Sequence, residues 1–175
     1  MLNISDFATH LEFEVLKPTH YTVDFYDGPF NYTGILAEAV TIPGRSIATQ
    51  ERRTFGPQRE MPYERLYSGD LDVTFLFAFG GAIRAGQKQI RSDLESWMDK
   101  VISQDDIINA NREDYTGKMR ISVDHPDTNT PAWQMEVDEV FPKTVNPVPL
   151  GYAMNDEYLR QSVSFAFRQY KITKE

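Results

Sequence analysis

Apolar and polar residues alternate at a period of two along most of this chain, and a helical period governs only one stretch. Tyr21, Val23 and Phe25 alternate with Thr22 and Asp24, the pattern of a half-buried strand. Asp27-Gly28-Pro29 is a turn signal. Residues 35–42 form a second predicted strand, ended by Pro43-Gly44. Over residues 70–77, Leu71, Val73, Phe75 and Phe77 face one way, and Asp70, Asp72 and Thr74 face the other. Residues 118–123 repeat the pattern with Met119, Ile121 and Val123 inward. Over residues 132–141, Trp133, Met135 and Val137 share a face, but the phase slips before Val140-Phe141, which predicts a bulge. Residues 159–170 are predicted as one closing strand with Val163, Phe165 and Phe167 inward.

The helical stretch is 82–103. Ile83, Gln87, Ile90, Leu94, Trp97, Val101 and Ile102 recur at three and four, giving one apolar stripe, while Arg91, Asp93, Glu95 and Lys100 lie on the other side. One amphipathic helix among strands covers a face of a sheet. At this spacing Trp97 is a core anchor rather than a ligand-stacking residue. Residues 104–117 and 141–153 read as irregular, with turns at 125–127 and 155–157. Residues 1–17, with Leu2, Ile4, Phe7, Leu11, Phe13 and Leu16, read as an N-terminal arm that either lies on its own domain as a short helix or docks on a neighbour. The expected fold is mainly β, a single domain over 1–175. It is an antiparallel sandwich or barrel of six or seven strands with one flanking helix at about 82–103 and a long extended loop at about 43–67.

That loop is too long for an ordinary connection, which runs ~4–6 residues. It interleaves Arg45, Arg52, Arg53, Arg59 and Arg65 with Glu51, Glu60 and Glu64. It also keeps Ile47, Thr49, Thr54, Phe55, Tyr63 and Tyr67, residue types that disordered segments lack. The expectation is an extended arm or hairpin that orders against a partner.

Composition narrows the function. A hydrophobic fraction of 41% describes a globular chain, and a net charge of -8 argues against a surface that grips nucleic acid. The same charge suits an acidic wall past which a polyanion slides. There is no cysteine, which removes disulfides, thiolate catalysis and zinc–sulfur sites. The first residues lack the basic start and apolar run of a signal peptide, and no run of about 18 apolar residues spans a membrane. The expectation is therefore synthesis in the cytoplasm and no membrane partner. His10, His20 and His125 stand in separate ordinary contexts, and no G-x-S-x-G, H-E-x-x-H or P-loop is present. Gly80-Gly81 makes no dinucleotide fingerprint. Asp105, Asp106 and Asp114 lack the ligand periodicity of a calcium loop. The pair Asp70 and Asp72 reads as solvated rather than as an acid–base couple. No catalytic, cofactor or metal site is expected, and the chain reads as a non-enzyme.

With these elements placed, the chain resembles the tail tube proteins of contractile-tailed phages of the T4-like type. The resemblance rests on the order of Ile42-Pro43-Gly44-Arg45, the segment RRTFGPQREMPYERLYSGDLDVTF over 52–75, DLESWMDKVI over 93–102, FPKTVNPVPL over 141–150 and SVSFAFRQY over 162–170. It implies six-fold homomeric rings that stack into a hollow tube inside a contractile sheath, in a virion tail assembled in the host cytoplasm. Baseplate and terminator proteins would complete the tail, and genomic DNA would pass without specific binding. It also implies ring-to-ring contact through the 43–67 loop, with Arg45, Arg52, Arg53, Phe55, Arg59, Tyr63 and Arg65 as the contact residues. Asp70, Asp72, Glu136, Asp138 and Glu139, on polar strand faces, are the candidates for the lumen. Competing readings are a baseplate protein that starts the tube, the tube of a related injection device, and a monomeric small-ligand-binding β-barrel.

Overall fold

A computed structural model of the chain describes residues 18–33, 37–53, 55–77, 90–103, 110–124, 131–151 and 158–173. The predicted N-terminal arm, residues 82–89 of the predicted helix, Thr54 and the turns at 125–127 and 155–157 lie outside them. The described strands are β1 (Tyr21–Tyr26), β2 (Ala37–Thr41), β3 (Gly44–Arg52), β4 (Arg59–Ser68), β5 (Leu71–Leu76), β6 (Gly117–Asp124), β7 (Pro131–Val145), β8 (Arg160–Ala166) and β9 (Gln169–Thr173). Helix α1 (Ile90–Val101) and the single turn α2 (Arg112–Tyr115) lie between β5 and β6.

Seven strands form an antiparallel sandwich whose two sheets share β7. The N-terminal part of β7 pairs β6 on one side and β9 on the other, and β6 pairs β1. The C-terminal part pairs β8, which pairs β5, which pairs β2. The strands do not close into a barrel. The predicted phase slip is real: the β6–β7 register shifts between Met119↔Val137 and Gly117↔Val140, and Glu139 between them adopts φ 57°. A side chain in this left-handed region is strained. Here the Glu139 carboxylate is held by Arg112 and by Arg168, the latter at 2.8 Å. Strand β7 therefore continues through Pro142 to Val145, where the sequence pattern predicts an irregular connection. It tolerates the proline because this part is an edge strand with a second register shift between Pro142 and Thr144.

The closing segment is two strands rather than one. β8 belongs to the second sheet and β9 to the first, and the chain crosses over at Phe167–Arg168. Val163 and Phe165 point inward from one sheet and Tyr170 from the other.

Alternation gives each sheet one apolar face, and these faces meet. Val23, Phe25, Met119, Ile121, Met135 and Val137 pack from the first sheet, and Leu71, Val73, Phe75, Val163 and Phe165 from the second. The Phe25 ring lies 5.3 Å from Phe165 and 6.4 Å from Phe75. Helix α1 adds Ile90, Leu94 and Trp97, while Ile102 just past its end is 49% exposed and not part of the stripe. Phe30, which no alternation flags, stacks on Trp97 at 5.5 Å and is 2% exposed. Behind it the Tyr32 hydroxyl donates to Asp93, and burial and this carboxylate push the phenol well above its usual range.

The turn before Phe30 sits against the start of β6. A Cβ on Gly28 would stand 2.6 Å from the Gly117 Cα and 3.2 Å from the Thr116 carbonyl oxygen. Both obstacles are backbone, so Gly28→Ala is expected to lower stability by about 1–3 kcal/mol in urea denaturation. A change below about 0.5 kcal/mol, within the ordinary surface range, would show that the turn relaxes freely.

Candidate functional site, a basic hairpin on an acidic sandwich

The 43–67 segment is a β-hairpin. β3 and β4 pair from Gly44↔Ser68 to Arg52↔Arg59, with Tyr63 bulged out where the register shifts at Ala48/Thr49. Gly56 at the tip has φ +89° and Gly69, after β4, has φ +84°, backbone that favours glycine. The hairpin forms its own two-stranded sheet and joins neither sheet of the sandwich. At its base Tyr67 meets Phe167 at 5.3 Å and Tyr170 at 5.2 Å, and the Arg45 guanidinium lies over the Tyr170 ring.

Beyond that base the hairpin is exposed. Phe55 is 97%, Tyr63 68% and Ile47 63% exposed. Isolated two-stranded hairpins are marginal in water, and apolar side chains on both faces leave this one short of burial. Its charge also differs from that of the body. Five arginines against three glutamates give the hairpin a net of plus two on a chain of -8, so the remainder carries -10. All seven predicted contact residues, Arg45, Arg52, Arg53, Phe55, Arg59, Tyr63 and Arg65, fall on this hairpin and are exposed.

The five acidic candidates do not fall on one surface. Asp72 lies on the outward face of the second sheet, where it accepts a 2.5 Å hydrogen bond from the Ser164 hydroxyl, and Asp70 just before β5 pairs with Lys143 at 2.7 Å. Thr41, Thr74, Ser162 and Thr144 share this face by register, and the Thr74 and Ser162 hydroxyls are 3.0 Å apart. The other cation here among the described residues, Arg160, is 2.5 Å from Glu38. The face is therefore small and hydroxylated, with both of these cations matched by carboxylates and Asp72 left over as a net negative charge.

Glu136 and Asp138 point outward from the first sheet. Glu136 accepts a hydrogen bond from Tyr26 and faces Arg120 at 3.7 Å, whose guanidinium lies over the Tyr26 ring at 5.0 Å. Asp138 accepts from Gln169 at 3.2 Å. Glu139 sits at the crossover, clamped as described. The outward faces of a sandwich point in opposite directions, so Asp72 and Glu136 cannot line the same surface of one subunit.

The Tyr26 hydrogen bond lowers the Glu136 pKa, and burial with this carboxylate raises Tyr26 to about 12. A depressed carboxylate stabilises the fold above its unfolded pKa and loses that contribution as the pH falls through its folded pKa. Tyr26→Phe is therefore expected to lower the urea midpoint at neutral pH, with the gap to wild type narrowing at acid pH. A gap that stays constant across that window would show that the pair does not couple to folding.

An apolar cleft of about 330 Å³ opens between the sheets, lined by Tyr21, Val40, Ile42, Ile121, Val123 and Trp133. It lies at the small end of ligand pockets, ~300–1,000 Å³, and among the described residues no carboxylate, lysine, arginine or histidine lines it. Among the described residues there is no cluster of metal-ligating side chains and no helix long and apolar enough to cross a membrane.

A β-sandwich with a helical flank and a projecting, self-unsatisfied hairpin defines a structural assembly module. The chain belongs to the phage tail tube protein family, whose model matches residues 6–173. No curated protein matches it in sequence. Among solved structures it is similar to the anti-feeding prophage tube-terminating cap, at 13% identity and TM-score 0.67 over 93% of both chains. It is similar to a chain of the sheath–tube complex of an extracellular contractile injection system in its extended state, at 15% identity and TM-score 0.62 over 100% of both chains. It is also similar to a chain of the six-fold symmetrised anti-feeding prophage baseplate, at 10% identity and TM-score 0.63 over 92% of this chain and 97% of that one. At these identities the likeness is one of fold.

Proposed function

We propose that this chain is the structural subunit of a phage tail tube, in which six-fold rings stack into a hollow conduit for DNA inside a contractile sheath. Sheath, baseplate and terminator proteins would be its neighbours in the virion tail, as the similar solved chains come from a tube-terminating cap, a sheath–tube complex and a baseplate. The observation that carries the reading is the hairpin, which leaves basic and apolar surface uncovered on a body of opposite charge.

The second sheet suits the conduit wall. Its outer strands β2 and β7 run in opposite directions and, among the described residues, neither has a partner on its outer side in this sheet. Rotated copies can therefore join β2 to the next β7 in antiparallel fashion, closing a ring and removing both edges. The β1 edge of the first sheet, by contrast, is capped by Tyr32 bridging Phe25. On this reading Asp70 and Asp72 face the lumen, and Glu136 and Asp138 face away from it. The family and fold leave tube, tube initiator and injection-device tube as variants of one role, separated by copy number per particle. A monomeric ligand-binding barrel is disfavoured because the strands do not close.

Negative-stain electron microscopy of the concentrated protein, with mass by light scattering, tests the reading. Rings or stacked tubes with an axial hole are expected. A monomer at every concentration that takes up an apolar dye in the cleft overturns it.

A further inference from the structure

The apolar cleft between the sheets opens where the N-terminal arm ends. Its lining includes Pro18, the first described residue of the chain, together with Val40 and Ile42 from one sheet and Tyr21, Val123 and Trp133 from the other. Its rim is open enough to leave Ile42 40% exposed. The arm, residues 1–17, therefore leads straight to this rim. Within it Leu11, Phe13 and Val15 alternate with Glu12 and Glu14, the pattern of a segment with one apolar and one charged side. Lys17 precedes a proline, which disfavours helical backbone there and favours an extended approach. Along an extended chain Val15 is at most about 11 Å from Pro18, and Phe13 at most about 18 Å.

We infer that this cleft is the seat of the arm of the same chain, with Leu11, Phe13 and Val15 against its apolar walls and Glu12 and Glu14 turned to water. Among the described residues no charged side chain lines the cleft, so only the apolar side of the arm gains by entering it. The walls come from both sheets. A seated arm therefore braces Val40, on the outer strand of the second sheet, against Tyr21 and Val123 of the first. Tethering favours the chain's own arm, which Pro18 holds at the rim at an effective concentration of about millimolar, a level that the arm of another subunit must exceed. The inference concerns the subunit itself and goes beyond the ring-forming reading. It makes the cleft an internal contact rather than a ligand pocket.

The chain has no cysteine, so introduced thiols report on the cleft without interference. The background is full-length Val40→Cys, at a position that lines the cleft, diluted until light scattering gives a monomer and checked for folding by circular dichroism. Adding Leu11→Ser, Phe13→Ser and Val15→Ser is expected to speed maleimide labelling of that thiol by at least about tenfold. Adding Glu12→Ser with Glu14→Ser instead, on the other side of the arm, is expected to leave the rate unchanged. Under oxidation, Phe13→Cys with Val40→Cys is expected to form a disulfide within one chain, seen as a faster-migrating band that reductant abolishes. If the serine variant is labelled no faster than its background, the cleft is open and free to take a small apolar molecule. If the disulfide joins two chains, the arm belongs to a neighbour. Either result, or no disulfide at all, overturns this inference and leaves the ring-forming reading standing. A wild type that forms no rings overturns that reading and leaves this test intact.

Discussion

Replacing Trp97 with alanine is expected to lower the stability of the subunit by about 3–5 kcal/mol, a large share of the ~5–15 kcal/mol that holds a typical domain together. The side chain is 1% exposed and joins all three layers of the core. Its ring lies 5.5 Å from Phe30, 6.2 Å from Phe25 and 6.1 Å from Phe165. Its Nε1 also donates to the Tyr115 carbonyl at 2.5 Å, tying α1 to α2 just before β6 begins. Trp97→Phe keeps most of the apolar volume and removes the donor, so it isolates the hydrogen bond. Leaving this half-buried carbonyl without its partner costs up to the ~1–3 kcal/mol of a fully buried one. Urea denaturation at neutral pH measures both. A loss below about 1 kcal/mol for the alanine variant would mean that α1 is a removable flank rather than part of the core.

If the second sheet lines a DNA conduit as proposed, neutralising Glu38 and Asp70 together is expected to turn tubes that let DNA pass into tubes that retain it. On the second sheet Arg160 Nε is 2.5 Å from Glu38 and Lys143 Nζ is 2.7 Å from Asp70. Each cation reaches solvent, being about half exposed, but each is matched by a carboxylate. Pairs this exposed contribute at most about 1 kcal/mol to folding, so Glu38→Gln with Asp70→Asn leaves the subunit folded. What changes is the field a phosphate meets. Removing the two carboxylates makes this face more positive by two charges per subunit, and Lys143, parted from Asp70 in every copy of a ring, adds phosphate contacts, each adding ~0.9 to the slope of log affinity against log salt for duplex DNA. Labelled DNA should co-sediment with the variant tubes at low salt and dissociate as salt rises, while wild-type tubes retain none. If the double variant retains no more DNA than wild type, the second sheet does not line the conduit. The same substitution at Glu136, on the opposite face, is the control for which sheet does.

Much of this architecture is legible in the pattern of side chains because period two and period 3.6 are local properties. Leu71, Val73 and Phe75 are buried where alternation puts them, and Ile90, Leu94 and Trp97 are buried where the helical stripe puts them. The slip between Val137 and Val140 is visible because the crossover of β7 costs the pattern one residue. The signal for the β8–β9 crossover was also there, in the change of phase from Phe167 to Tyr170, but a single alternating run hides a turn that moves between sheets. Phe30 stands outside any periodic run, so only its stacking on Trp97 reveals its place in the core.

The sequence by itself determined that this is a mainly β chain with one helix, no recognisable catalytic apparatus and a long charged insertion, since each of these depends on residue type and local spacing. Only the tertiary structure decided which carboxylates share a face. Asp70 and Asp72 lie on one outward surface and Glu136 and Asp138 on the other because β7 passes from sheet to sheet, and the assignment of a strand to a sheet is set by pairings between residues distant in the chain. It also decided that Glu51 faces Glu60 and Arg52 faces Arg59, because cross-strand register depends on the turn at Gly56 and on the bulge at Tyr63, neither of which the charge pattern alone specifies.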